Sequence, residues 1–358
     1  MKILFVSRHT INTILGGDTI QMENTAKELR KLGTSVDFYT KDIIDFSPYD
    51  IIHFFNITRP DPILDILHKT NKPYVISTIY VDYSFYKYQN RYSKMGLLTS
   101  LFGRDGIEYL KSTLKHFLGK EKINYLPYLW TGQKRSIKKV LKKSSYILPN
   151  SESEKTRLVK QYGVSPNCQI IPNGVDVGKF KNTNNVKRVK NKILCVASIE
   201  PRKNQLNLIK AIKNTQFDLT IIGDPSPNHL SYFKKCKFEA GGNVKFISKI
   251  SQLDLVNHYL ESAIHILPSW FETTGLSSLE AGYLGCKLIV SPNGDTKDYF
   301  ENYANFCEPS SIISIRNTID KVDKLYNSNA LKNRIDKEYN WKNTARLTQS
   351  VYLNIINK

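Results

Sequence analysis

Two glutamates eight positions apart, Glu272 and Glu280, frame the stretch PSWFETTGLSSLEAG from Pro268 to Gly282. Between them Thr273-Thr274-Gly275 reads as a small-residue turn that leads into an apolar helix start. An apolar strand, Ile264–Leu267, comes just before. Strand, loop and helix N-terminus together make an anion site, because the first backbone N–H groups of a helix have no internal partner. A carboxylate beside such a site can accept hydrogen bonds from ligand hydroxyls but repels bare phosphate. The ligand implied is therefore composite, a phosphate flanked by hydroxyl-rich parts, which describes a nucleotide-sugar.

A second constellation follows an apolar run at 193–197: Ser198-Ile199-Glu200-Pro201-Arg202-Lys203-Asn204. Two cations at the carboxyl end of a parallel strand, just before a helix, can neutralise a diphosphate. Taken alone the segment reads equally as a solvated loop. Gly16-Gly17, after the first strand, allows close backbone approach to a ligand. It lacks the G-x-G-x-x-G dinucleotide fingerprint and reads equally as a structural turn. Ile170–Asp176 reads as a strand ending in an Asn173-Gly174 turn able to take positive φ. His9 follows the first strand and His53 ends another, and either could border a cleft, although packed or capping roles are commoner for such residues. H-E-x-x-H, G-x-S-x-G, Walker and D-x-D sequences are all missing. Without D-x-D, the simpler expectation is a metal-independent site with no cofactor, its charge neutralised by Lys203, Arg202 and a helix N-terminus.

The elements that must position these residues are written in the hydrophobic pattern. Candidate strands are 3–6, 36–39, 51–55, 74–77 and 146–149, then 193–197, 219–222, 244–247, 264–267 and 288–291. Helical stretches fall between most of them, including 19–31, 205–212, 253–262 and 276–284. Such alternation indicates parallel α/β sheets. The polar stretch from Lys179 to Asn191 separates the two series and reads as an interdomain connection. Ligands of parallel sheets bind at the carboxyl ends of the strands, so two such sheets would share a cleft. The amphipathic tail Trp341–Ile356 cannot be assigned to either domain from periodicity.

At 358 residues the chain is long enough for about two domains. Its 5 cysteines are odd in number and form no C-x-x-C pair, which argues against a disulfide framework or a metal cluster and fits a reducing cytoplasm. The opening MKILFVSRHT starts like a signal peptide, but Arg8 and His9 interrupt it after five apolar residues. No apolar run approaches the roughly 20 residues of a spanning helix.

The formal charge of +20 implies attraction to an acidic partner or plain solubility. Much of the excess lies between Tyr80 and Tyr146, with 14 Lys/Arg against 4 Asp/Glu and about a dozen aromatics. Leu110, Leu114, Phe117 and Leu118 share a helix face flanked by Lys111, Lys115 and Lys120. A basic amphipathic helix of this kind suits an anionic membrane interface. It would also suit single-stranded nucleic acid, or simply pack on its own domain.

Together these segments resemble the retaining glycosyltransferase family 4 over nearly the whole chain. MKILFVSR, GGDTIQMENTAKELRKLGTSVDFYT, YDIIHFFN, IIPNGVDVGKF, ASIEPRKNQLNLIKAI and PSWFETTGLSSLEAGYLGCKLIVSPNG occur in the family's order, the last resembling its E-x7-E signature. The resemblance implies a GT-B fold, with two Rossmann-like parallel-sheet domains facing an interdomain cleft. It implies an acceptor-binding domain over 1–170, with helix 341–358 crossing back onto it, and a donor-binding domain over 171–340. Glu272 would contact the donor sugar and Glu280 the ribose. Gly275 and Leu276 would offer N–H groups to the diphosphate, and Lys203 would neutralise it. Gly16 and Gly17 would face phosphates and acceptor. Many relatives carry Arg where Ser198 stands here, with Arg202 as a substitute. Many carry His where Tyr80 stands, so Tyr80 becomes an acceptor-side candidate with His9 and Asn173.

The activity implied is transfer of a sugar, with retention, from a nucleotide-diphosphate sugar to an acceptor hydroxyl. The basic aromatic region points to a lipid-linked glycan acceptor, such as a polyprenyl-diphosphate carrier, at the inner face of the cytoplasmic membrane in O-antigen or capsule assembly. Another GT-B activity, an epimerase or a synthase with a soluble acceptor, is the alternative. A nucleic-acid-binding protein would explain the charge but not the two glutamates, so no nucleic acid is expected as a partner.

Overall fold

A computed structural model describes residues 1–7, 17–81, 94–119, 121–180, 186–322 and 328–357. The chain forms two compact units, Met1–Asn173 with Trp341–Lys358, and Gly174–Asn340.

In the first unit β1 (Lys2–Val6), β2 (Ser35–Phe38), β3 (Ile51–Phe55), β4 (Tyr74–Ser77) and β5 (Tyr146–Leu148) form a parallel sheet ordered β2-β1-β3-β4-β5. The helices are α1 (Gly17–Lys31), α2 (Pro60–Lys69), α3 (Lys94–Phe117), α4 (Tyr128–Lys143) and α5 (Glu152–Tyr162). All five residues of IIHFF in β3 are buried, as expected of a strand covered on both faces. Side chains alternate between the faces. Leu4, Ile52, Phe54 and Ile76 join the core with Ile63, Ile137 and Leu158, while Ile3, Phe5, Ile51 and Val75 join Met22, Leu29 and Tyr352.

The C-terminal helix, Trp341–Ile356, packs in the first unit. Thr344 Oγ1 donates to the Pro172 carbonyl at 2.7 Å, and Gln349 Nε2 to the Leu32 carbonyl at 3.0 Å. Buried His53 lies 2.6 Å from the Tyr352 hydroxyl and 2.9 Å from Ser77 Oγ. His53 therefore ties the helix to the sheet and does not border a ligand site. The tail's periodicity could not reveal this, because the His53–Tyr352 contact spans 299 positions.

In the second unit β6 (Val189–Val196), α6 (Gln205–Ile212), β7 (Asp218–Ile222), α7 (Leu230–Glu239), β8 (Val244–Ile247), α8 (Gln252–Glu261), β9 (Ser262–Leu267), α9 (Leu276–Tyr283), β10 (Lys287–Val290), α10 (Thr296–Phe300), β11 (Asn305–Phe306), α11 (Ile312–Lys321) and α12 (Ser328–Glu338) follow in order. The strands are parallel, ordered β11-β10-β9-β6-β7-β8. Counted from β6, this is the 3-2-1-4-5-6 order of dinucleotide-binding sheets. Its winding reverses between β6 and β9, which are neighbours despite the two intervening strands. The crevice outside the carboxyl ends at such a reversal is where ligands bind.

Two readings of the polar segments need correction. The stretch from Lys179 to Asn191 is not the connection between units, because its described part is anchored inside the second. Phe180 is buried in that core. Arg188 donates to the carbonyls of Tyr259 at 3.2 Å, Leu284 at 2.7 Å and also Ser262. One buried aromatic and one guanidinium suffice to anchor a segment whose composition looks like a linker. Ile170–Asp176 likewise is not a strand, and neither Asn173 nor Gly174 takes positive φ. Gly174 serves close approach instead, since a Cβ there would lie 2.3 Å from the Asn340 carbonyl carbon. Short β11 was not visible in the pattern, as two residues carry no periodicity.

Candidate active site

The β6 strand ends at Val196, and its loop carries Ser198 and Glu200 into a 3-10 turn, Pro201–Lys203. Asn204, at φ 62°, ends that turn and starts α6. Its side-chain amide donates to the carbonyls of Pro268 at 3.0 Å and Pro309 at 2.8 Å, tying the loop after β6 to the loop after β9. The Trp270 N–H completes the tie by donating to the Arg202 carbonyl at 2.8 Å. Adjacent loops on adjacent strands thus bring together residues 69 positions apart. Lys203 Nζ lies 2.5 Å from Glu272 Oε1, and Arg202 Nη1 lies 3.9 Å from the same oxygen. The tight turn lets both neighbouring cations reach one carboxylate. Arg202 also bonds Glu200 at 2.8 Å and the Phe271 carbonyl at 3.1 Å.

Electrostatics follow from burial. The side chains of Glu272 and Lys203 are 6% and 13% exposed. Burial alone would raise the Glu272 carboxyl, but the Lys203 and Arg202 charges outweigh it and hold the group below its ordinary value. Burial and the Arg202 charge lower Lys203, against the pull of Glu272. Its ammonium is thus paired with a carboxylate and poorly hydrated.

The backbone of Glu272 is pinned from the loop after a third strand, β10. Its N–H donates to the Asn293 carbonyl at 3.2 Å, and its carbonyl accepts from Asp295 at 2.9 Å. Gly294, at φ 93°, allows this, since a Cβ there would sit 2.0 Å from the Glu272 carbonyl oxygen. Downstream, Gly275 is left-handed at φ 69°, ψ 60° and caps α9. Ser278 and Leu279 donate back to its carbonyl at 2.8 and 3.1 Å. The earlier N–H groups, from Leu276 onward, precede the intrahelical ladder and suit an anion.

Glu280 follows one turn later in α9. The Tyr259 hydroxyl donates to it at 2.9 Å, and Gln252 Nε2 donates to its other oxygen at 2.9 Å. Gln252 in turn accepts from Lys179 at 2.6 Å. Burial raises the Glu280 carboxyl, against these hydrogen bonds. Under α9, fully buried His265 meets Ser278 Oγ at 3.1 Å, and burial pushes its imidazole down to about 3. Reading the sequence missed Tyr259, Gln252, His265 and Gly294. Only Tyr259 carried a signal, a polar-tipped residue on the apolar Leu255–Val256 face of α8.

Ser198 stays on the exposed rim, its hydroxyl 3.4 Å from Glu200. In the first unit Gly17 opens α1, and a Cβ on it would meet nothing within 4 Å. Gly16 and His9 lie outside the described residues. Asn173 is buried at the end of the first unit. The Tyr80 ring is not presented as a sugar contact: it is 2% exposed, in the first core beside Tyr162. The buried Glu154 carboxylate holds the segment there, accepting from the Tyr80 N–H at 2.7 Å, from Asn150 at 2.8 Å and from the Thr78 hydroxyl. Between them Ile79 adopts φ 44°, an uncommon conformation for a β-branched residue. Stored backbone strain at the carboxyl end of β4 marks this loop as the first unit's functional candidate. Periodicity carries no signal for strain.

Two open parallel α/β units, one with a cation–carboxylate cluster at its winding reversal, define the GT-B class. The solved structure of a sucrose-phosphate synthase from Thermosynechococcus elongatus is similar over 99% of both chains, at a TM-score of 0.75 and 15% identity. Anabaena HepE in complex with UDP is similar over 99% of this chain and 100% of that one, at a TM-score of 0.70 and 14% identity. Residues 176–343, nearly the whole second unit, match the family model of Glycosyl transferases group 1. A probable sucrose-phosphate synthase of Thermosipho melanesiensis is 24% identical over 96% of this chain and 91% of its own. A GDP-mannose-dependent mannosyltransferase of Corynebacterium glutamicum is 25% identical over 46% of this chain and 48% of its own. The second unit is similar to a group 1 glycosyltransferase domain, and the protein is an enzyme of the glycosyltransferase class.

Proposed function

We propose that the protein moves a sugar from a nucleotide-diphosphate sugar to an acceptor hydroxyl with retained configuration and without a metal. The observation that carries this is the convergence of Lys203 and Arg202 on Glu272 beside the N-terminus of α9. A donor diphosphate placed at that helix end competes with Glu272 for Lys203. The acceptor oxygen bonds the anomeric carbon as the bond from that carbon to the phosphate oxygen breaks. The departing phosphate takes the acceptor proton on the same face. Negative charge growing on the phosphate is met by Lys203, Arg202 and the N–H of Leu276. Glu272, released from Lys203, accepts from donor-sugar hydroxyls. Glu280, oriented by Tyr259 and Gln252, holds the ribose. Both glutamates are positioning groups, unlike the acid–base pair of a glycosidase. Anabaena HepE, whose solved structures are similar and hold UDP or UDP-glucose, supports this donor class.

The test is turnover with a panel of nucleotide-sugars. Glu280→Ala is expected to lower kcat/KM about 100-fold for the right donor, as expected for lost substrate positioning. Tyr259→Phe is expected to raise donor KM several-fold with kcat little changed. Wild-type turnover from Glu280→Ala would overturn the assignment.

For the acceptor we propose a lipid-linked glycan at an anionic membrane, in surface polysaccharide assembly. Support comes from the region joining α3 and α4. Leu110, Leu114, Phe117, Leu118, Leu126 and Trp130 are exposed, Phe117 and Trp130 each at 79%. Lys111, Lys115, Lys122, Lys134 and Arg135 lie among them. Among the described residues no helix is long and apolar enough to cross a membrane. Flotation with phosphatidylglycerol vesicles is the check. Phe117→Ser with Trp130→Ser is expected to cut binding at least tenfold, from the apolar area no longer buried. Equal binding to neutral vesicles would count against docking. A soluble sugar-phosphate acceptor is the second reading, favoured by the near full-length similarity to sucrose-phosphate synthases.

A further inference from the structure

A second concave site lies at the opposite edge of the first unit's sheet. The Thr70–Pro73 loop and Tyr74 stand at the amino end of β4, where α2 ends, whereas the strained Thr78–Tyr80 loop leaves the carboxyl end. Around them opens a cavity of about 460 Å³, within the size range of small-molecule sites. Its floor includes Leu64, Val140 and Tyr74, all buried. Its rim carries His68, Lys72, Lys139 and Lys143, and no carboxylate lines it. Among the described residues neither Lys139 nor Lys143 forms an ion pair. Lys139 Nζ sits 5.7 Å from the Tyr125 ring centroid, and Lys72 Nζ donates to the Ser47 carbonyl at 2.9 Å.

We propose that this cavity binds an organic phosphate, its phosphate on Lys139, Lys143 and His68 and its apolar body on the Leu64–Tyr74–Val140 floor. Three lysines around an apolar floor fit a phosphate carried on a less polar group better than a bare inorganic ion. The cavity lies at the amino end of β4, opposite the Thr78–Tyr80 loop at its carboxyl end, and the proposal does not rest on the proposed transferase reaction. A free phosphate ester and an anionic lipid headgroup present the same chemistry, and the experiment separates them.

Binding of adenosine 5′-monophosphate is read by calorimetry, and binding of phosphatidylglycerol vesicles by flotation. The full-length chain is compared with Lys139→Gln/Lys143→Gln and with a control of equal charge loss outside the cavity, Lys234→Gln/Lys235→Gln. All four lysines are exposed, so both variants should fold, with thermal unfolding as the check. At least a tenfold loss in the cavity variant only is expected. Seen with the nucleotide, it assigns the cavity to soluble phosphate esters; seen only with vesicles, it assigns the cavity to headgroups. No binding of either probe, or equal loss in the control, overturns the proposal.

Discussion

Replacing Lys203 by Met is expected to lower kcat/KM about 1000-fold and to destabilise the second unit by about 3 kcal/mol. The two effects have different origins. The loss of rate follows from removing a cation aimed at charge that grows in the transition state, worth roughly two to three powers of ten for a single preorganised group. The loss of stability follows from stranding Glu272, whose side chain is 6% exposed, with Arg202 at 3.9 Å as its remaining ion-pair partner. Breaking a buried pair by removing one partner costs about 3–5 kcal/mol, and the exposed edge of the site puts this case at the low end. The double variant Lys203→Met/Glu272→Gln separates the effects. With the stranded charge gone, urea unfolding should return to within about 1 kcal/mol of wild type, because neutral replacements of a buried pair are often tolerated. Turnover should stay lost. If the double variant recovers turnover with stability, Lys203 serves the fold and not the reaction.

A steep acid limb in stability is the second expectation. His53 and His265 are buried neutral, each pushed down to about 3 by burial. An unfolded histidine titrates near 6.5, so below that pH the unfolded chain binds protons that the folded chain refuses. Stability therefore falls as pH drops from about 6.5 towards 3, by about 1.4 kcal/mol per pH unit for each histidine. Glu154 and Glu280, both raised by burial, act in the opposite sense above the ordinary carboxylate range. The difference between wild type and His265→Gln isolates one histidine from that sum. Urea unfolding between pH 6 and pH 4.5 should show the variant's slope shallower by about 1.4 kcal/mol per unit. Gln can still reach Ser278, so the fold should survive the change. Parallel slopes would mean that His265 accepts a proton in place, at the Nδ1 atom that has no hydrogen-bond partner among the described residues.

Both expectations turn on contacts the linear chain showed only in part. The strands were largely legible: 51–55 and 74–77 fall where the pattern put them, because a parallel strand covered on both faces is a short continuous apolar run. So were α6 and the C-terminal helix, from their 3.6-residue period. Lys179–Asn191 was misread because one buried Phe180 and the carbonyl contacts of Arg188 anchor a segment that composition marks as polar. Tyr80 was misread because its burial depends on Glu154, 74 positions away.

At the candidate site, the types and spacing of Glu272, Gly275 and Glu280 came from the chain itself. A helix start after a left-handed glycine is a local event, governed by a few consecutive φ/ψ angles. What only the tertiary structure decided is their company: Lys203 and Arg202 on Glu272, Tyr259 and Gln252 on Glu280, and Gly294 against the Glu272 backbone. The physical reason is strand order. Periodicity tells each strand which faces it buries, but not which strand it lies beside. Here the reversal of winding sets β6 against β9, and that adjacency turns two ordinary loops into one charged site.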